Sequence, residues 1–368
     1  MHPSVFLYIF FWANATSTIT SGNGPSSRKD PAKTNGTFFF THSYIIPLVS
    51  FFDFTIFAFV LWALASLIWS VNIDLSLSLA ATLPLTLLGG CVLINLVRSM
   101  NSDEHEFVNR FTLFGFLLGA VLALTDIATG YKLSLAIEIS KHGGDWDSKI
   151  APFVINNGIT LIAMFLWPAC IFLTQRKYYW LALVAVMVVV FISGNGSNFA
   201  AVTALGVGLS CFLLAYFAPR KIHRIAVVGL SVLFLSAPFV MKSLPDATTI
   251  GGDLPELSKS VYPRLVIWQF ASDLALEKPL IGHGIRTSRT LNDDSEPIWF
   301  LFRSNGKTLK GNTKGIPLHP HNGIIQLWLE LGAIGVVFGL GIALSVLMAI
   351  KKSTLQPIPK ALMYAGLV

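Results

Sequence analysis

Residues 321–350 read HNGIIQLWLELGAIGVVFGLGIALSVLMAI, a run in which Glu330 is the one acidic side chain and no Lys or Arg occurs. A bilayer core about 30 Å thick needs roughly 20 apolar residues in helical form, so this run can cross it with length to spare. Working outward, comparable stretches occupy 48–71, 75–97, 108–129, 153–174, 178–194, 199–218 and 225–244. The composition agrees: of 368 residues, 54% are hydrophobic and 12% charged, against about 25% charged in soluble domains. A disordered chain is excluded, and the reading is an all-α, polytopic integral membrane protein. Residues 4–13 are apolar but short for a span, and Ala361 to Val368 reads as the opening of a span that is not finished.

Lys and Arg recur in alternate connections: Arg28, Lys29 and Lys33; Arg98 and Arg110; Arg176 and Lys177; Arg220, Lys221 and Arg224; Lys351 and Lys352. By the positive-inside rule these face the cytoplasm. Residues 1–47 are then a mostly cytoplasmic N-terminal segment, and 48–244 hold about seven transmembrane helices. Residues 245–320 form one large outward loop, 321–350 a further transmembrane helix, and 351–368 a cytoplasmic turn with the start of the incomplete span. Charges placed this way are topology signals, so the net charge of +7 is not read as nucleic-acid binding. Cys91, Cys170 and Cys211 lie inside apolar runs and read as small buried hydrophobes.

Within the outward loop, Tyr262 to Glu277 has helical spacing, with Leu265, Trp268, Ser272 and Ala275 on one face. Pro263 suits its first turn, and Lys278-Pro279 stops it. Gly282-His283-Gly284 follows, then a polar stretch rich in turn formers. The sharpest local feature is His319-Pro320-His321-Asn322. Proline disfavours helix at the residue before it, so His321 belongs near a helix start. Trp328, Gly332 and Gly335 fall on its side of the helix, small enough there for another helix to approach. The plain alternative is an interfacial histidine satisfied by water.

A zinc site from His283, His319 and His321 lacks a carboxylate at a recognised spacing, and Asp293-Asp294 has no second ligand group, so no metal or other cofactor is expected. Glu330 faces away from His321 and sits four residues after Gln326, as in a polar seam between spans. Asp126 is expected at the membrane interface. Asn14 and Asn35 match the glycosylation sequon by pattern.

His321-Asn322, followed after nine residues by Gly332 and after two more by Gly335, resembles the H-[NSQ]-x9-G-x2-[GTY] signature of the O-antigen ligase and O-antigen polymerase superfamily. The upstream PRLVIWQFASDLALEKPLIGHG, with Arg264, Trp268, Gly282 and Gly284, resembles the stretch that precedes that signature. The resemblance implies a glycosyltransferase-C-like membrane fold, its large periplasmic loop containing helices. It implies an enzyme of lipopolysaccharide biosynthesis in the bacterial inner membrane, with its active site facing the periplasm. Such an enzyme moves a glycan from undecaprenyl pyrophosphate to a lipid A–core sugar, without metal. Polymerisation of the polysaccharide is the alternative within that family.

The resemblance makes His321 the base and Arg264 a pyrophosphate or donor contact. Arg286 and Arg289 become further phosphate ligands. Asn322 contacts substrate, orients His321 or caps the helix. Gly282, Gly284, Gly332 and Gly335 are motif positions.

Two departures stand out. Relatives often carry Arg in the turn that here reads Ser193 to Asn198, and Asn-Arg where this chain has Asn156-Asn157. From another class, a transporter of small solutes would show broken helices or ionisable groups near mid-membrane. The sequence instead gathers its cations and histidines in one loop.

Overall fold

The computed structural model describes residues 46–142, 155–196, 198–254, 261–291 and 296–367. Residues 4–13, the cluster Arg28, Lys29 and Lys33, the sequons at Asn14 and Asn35, and Asp293-Asp294 lie outside the described residues.

Helices dominate because a chain in lipid must satisfy its own backbone groups. They are α1 (Ile46–Ala65, continued by a 3₁₀ turn Ser66–Trp69), α2 (Ile73–Ser99), α3 (Ser102–Ala128), α4 (Lys132–His142), α5 (Asn156–Gln175), α6 (Tyr179–Asn195), α7 (Phe199–Phe217) and α8 (Pro219–Ser243). The chain continues through α9 (Ala247–Ile250), α10 (Val261–Glu277), β1 (Ile298–Ser304), β2 (Lys307–Thr313), α11 (Gly323–Lys352) and α12 (Pro357–Ala365). By length and composition α2, α3, α5, α7, α8 and α11 can cross a membrane, and Phe54–Trp69 and Tyr179–Asn195 are shorter apolar helices. The protein is an all-α, multi-pass membrane protein.

The described chain forms two compact units, one from 88–223 with 350–367 and the other from 46–87 with 224–349. In the first, α3 opens on a capping box: Asn101 Oδ1 accepts from the N–H of Glu104 at 3.0 Å, and Glu104 Oε2 accepts from that of Asn101 at 2.7 Å. Asp126 lies near the end of α3, as expected, and is enclosed by protein. It is 2% exposed and accepts from the N–H of Leu133 at 2.8 Å and from Ser134 Oγ, so it holds the start of α4. The segment around Ala361, expected to begin a span, lies in α12, which packs on α5 and α7 with Met363 buried.

The two neutral departures from the family pattern meet in this unit. Asn198 Oδ1 accepts from Ala201 N–H at 3.0 Å and caps α7, while its amide donates to Asn156 O at 3.2 Å and Thr160 Oγ1 at 3.1 Å. The Asn198 side-chain amide thus clasps the start of α5 to the start of α7.

The second unit carries the loop helix and the signature helix. Ala271 and Ala275 of α10 pack with Ile325, Trp328, Leu329 and Val336 of α11. The buried face of α10 is shifted from the expected one: Val266, Ile267 and Ala271 are buried with Ser272 and Ala275, while Leu265 and Trp268 are half-buried.

A β-hairpin sits where the sequence reading anticipated only turns. β1 and β2 pair antiparallel, from Ile298 opposite Thr313 to Ser304 opposite Lys307. Its signal was present. Asn305-Gly306 is the two-residue turn sequence whose residues both take positive φ, here 52° and 69°.

Candidate active site

The signature helix is broken. Gly332 has φ 64° and ψ −167° inside α11, a region that only glycine enters readily. In an unbroken helix Ala333 N–H would bond Leu329 C=O, and Ile334 N–H would bond Glu330 C=O. Instead Ala333 donates to Pro279 O at 2.8 Å and Ile334 to Leu280 O at 3.4 Å. The carbonyls of Leu329 and Glu330 accept from the N–H groups of His283 and Gly284, each at 2.9 Å. Trp62 Nε1 donates to Leu331 O at 2.9 Å. The loop 279–284 thus fills the break and takes up the groups that hydrocarbon would leave unpaired, each worth several kcal/mol.

This corrects the reading of the motif glycines, since what approaches Gly332 is a loop and not another helix. A Cβ on Gly332 would stand 2.4 Å from Leu280 C, and one on Gly282 would stand 2.5 Å from Glu330 C. The break also removes the single helical wheel on which Gly335 was placed beside His321.

Glu330 is 6% exposed and anchors the same loop. Its carboxylate accepts from Arg286 N–H at 2.8 Å, Ser288 Oγ at 2.6 Å and Gln326 Nε2 at 3.0 Å. Gln326 is a partner as its spacing suggested, but the others belong to the loop, so the expected seam between spans is instead a helix–loop contact. On its other side the loop meets the 3₁₀ turn and the start of α2. Ile285 N–H donates to Ser66 Oγ at 3.0 Å, and Ser76 Oγ donates to Ile285 O at 2.6 Å. Glu330→Ala should therefore destabilise the protein, since each buried donor left without a partner costs about 1–3 kcal/mol. Thermal unfolding in detergent checks this, with Gln326→Ala expected to cost less.

His321 lies just outside α11. Asn322 settles into one of its expected roles: its Oδ1 accepts from Ile324 N–H at 3.1 Å and Ile325 N–H at 3.2 Å, capping the helix. His321 takes φ 54°, a left-handed conformation costing a non-glycine residue about 1–2 kcal/mol. Its N–H donates to His319 Nδ1 at 3.1 Å, so neutral His319 carries its proton on Nε2. The two rings meet edge to face with centroids 4.3 Å apart. Partial desolvation, then His319 and Arg264, lower the His321 pKa from its ordinary value. The structure therefore brings His321, His319 and Arg264 into one electrostatic neighbourhood.

The other cations are placed differently. Arg286, with φ 63°, is half-buried, and its guanidinium donates to Leu75 O at 3.4 Å and to Ser78 Oγ. Arg289 is exposed at the end of a 3₁₀ turn, Thr287–Arg289. His283 is buried with Nε2 2.9 Å from Leu274 O, so its ring is used inside the fold. Among the described residues no three of His, Cys, Asp and Glu gather as a metal site.

The O-antigen ligase family model matches residues 159–340, which include the filled break, Glu330 and His321. Residues 159–340 of this chain are thus similar to the O-antigen ligase family. A Rickettsia conorii protein is 27% identical over 244 residues, 64% of this chain and 54% of that protein. One from Rickettsia typhi is 25% identical over 243 residues, covering 63% and 56%, and one from Rickettsia bellii 28% over 192, covering 52% and 45%. All three are provisionally named polysaccharide ligases. The chain spans about half the length of these curated relatives, and no solved structure matches it. The matched stretch thus contains the loop 279–288 and the part of α11 that the loop completes.

Proposed function

We propose that this protein transfers a glycan from undecaprenyl pyrophosphate to a lipid A–core sugar at the periplasmic face of the bacterial inner membrane. The observation that supports it is the exposed imidazole of His321 at the start of the signature helix, its pKa lowered by partial desolvation, then by His319 and Arg264. A neutral imidazole can accept the proton of a sugar hydroxyl as it attacks the anomeric carbon. The bond to the carrier's pyrophosphate oxygen then breaks, and the leaving group keeps the electron pair. A guanidinium is always charged and matches two phosphate oxygens at once, which suits Arg264 to that departing charge.

A broken helix with a buried carboxylate is also what solute transporters present, and α11 has one where the sequence argued for none. The backbone groups named at that break are bonded to loop 279–284 and to Trp62, however, and so are not offered to a solute. The match to the O-antigen ligase family favours transfer.

Deleting the gene tests the proposal. Surface polysaccharide should lose all ladder bands attached to lipid A–core while carrier-linked polymer persists. A single repeat attached to the core would instead mark a polymerase, and unchanged polysaccharide with altered solute uptake a transporter. Reporter fusions test sidedness, with activity expected outside after Ser304 and inside after Lys221.

A further inference from the structure

The β1–β2 hairpin turns one face inward and leaves the Trp299, Lys310 and Asn312 part of the other open. Phe300 and Ser304 are buried, and Phe300 packs with Tyr262, Val266 and Ala247. By strand alternation Trp299, Leu301 and Arg303 point the other way. Across the ladder Trp299 lies opposite Asn312, and Leu301 opposite Lys310. Trp299 is 53% exposed, Asn312 and Lys310 are exposed, and Lys310 Nζ stands 5.0 Å from the indole centroid. From Pro297 to Asn322 the chain has Arg303, Lys307, Lys310 and Lys314 and no Asp or Glu.

An apolar aromatic face, an amide and an ammonium are thus displayed together on a two-stranded frame. We propose that Trp299, Asn312 and Lys310 form a binding platform for an acidic saccharide. This rests on the transferase reading and names the class of glycan it handles. The C–H face of a sugar ring stacks on the indole, its hydroxyls bond the Asn312 amide, and its carboxylate or phosphate meets the Lys310 ammonium. Charge complementarity favours this occupant over a neutral glycan.

The polarity of the face favours it over a lipid surface. Of the outward residues Trp299, Leu301, Arg303, Thr308, Lys310 and Asn312, two are apolar. Leu301 is half-buried beside Gly252, where a Cβ would stand 3.5 Å from its own Cβ. A face that inserts into lipid needs a broad apolar stripe, which this one lacks.

The test uses the full chain in nanodiscs of neutral lipid. Three probes are titrated: a glucuronate-containing hexasaccharide, a mannose-phosphate pentasaccharide and neutral maltohexaose. At least one acidic probe should bind about tenfold tighter than maltohexaose, and Trp299→Ala should weaken it about tenfold. Lys310→Gln should remove the preference for the acidic probe and leave maltohexaose unchanged. Both side chains are exposed, so the fold should survive, as thermal unfolding will show.

Equal binding of all three probes, or variants that bind as the wild type does, overturns the platform. So does quenching by brominated lipid of the fluorescence that Trp299→Ala removes, since that places the face in the bilayer. Binding is read without turnover, which separates the two ideas. Acidic binding in a protein that transfers nothing sinks the transferase reading, whereas transfer without acidic binding sinks the platform alone.

Discussion

His321→Ala should slow glycan transfer by about 10²–10⁴-fold, the usual cost of losing a general base, with insertion and folding intact. The residue is exposed and stands outside α11, whose cap is Asn322, so little packing depends on the ring. Transfer by wild type should also fall with acidity. The His321 pKa lies below the ordinary imidazole value, and protonation removes the base. The rate should therefore be level near neutral pH and drop as pH descends through the acid side of about 6.5. Arg264→Lys keeps a charge but loses the two-point geometry, and should impair transfer more than Arg220→Lys at an exposed site. The measurement is product formation from purified protein and carrier-linked glycan. A His321→Ala protein with a wild-type rate would leave His321 a purely structural place at the helix start.

The other large effect belongs to Gly332→Ala. Backbone strain alone should cost about 1–3 kcal/mol in this glycine-only region. The added methyl would also overlap Leu280 C, 2.4 Å away, and push out the loop that fills the break. The four loop bonds at Pro279, Leu280, His283 and Gly284 would go with it. The expected result is a low yield of folded protein, a lowered melting temperature and loss of transfer together. Gly323→Ala is the control, because a Cβ there meets nothing within 4 Å. Equal stability of the two variants would mean that the loop does not complete the helix.

Much of this architecture was legible before any coordinates. Long runs poor in charge can be satisfied in lipid only as helices, and those runs hold the helices that the fold displays. The His-Asn pair before the final run marked where polar chemistry stands beside a span. Other features were legible and went unread. Asn305-Gly306 between β-forming stretches encodes the hairpin, and Asp126 followed by a short amphipathic stretch encodes the start of α4.

The sequence by itself determined where the helices are, because apolar periodicity and length are local properties that the solvent reads directly. It also placed His321 at a helix start, through Pro320 and Asn322. Only the tertiary structure decided what the motif glycines do. A glycine in an apolar run reads alike whether a helix packs there, the backbone turns there, or a distant loop enters. Which group takes a freed N–H or C=O depends on residues about fifty positions away, and helical spacing carries no record of them. The same holds for Glu330. Its place four residues after Gln326 was visible in the sequence, but its bonds to Arg286 N–H and Ser288 Oγ exist only once the loop has closed on the broken helix.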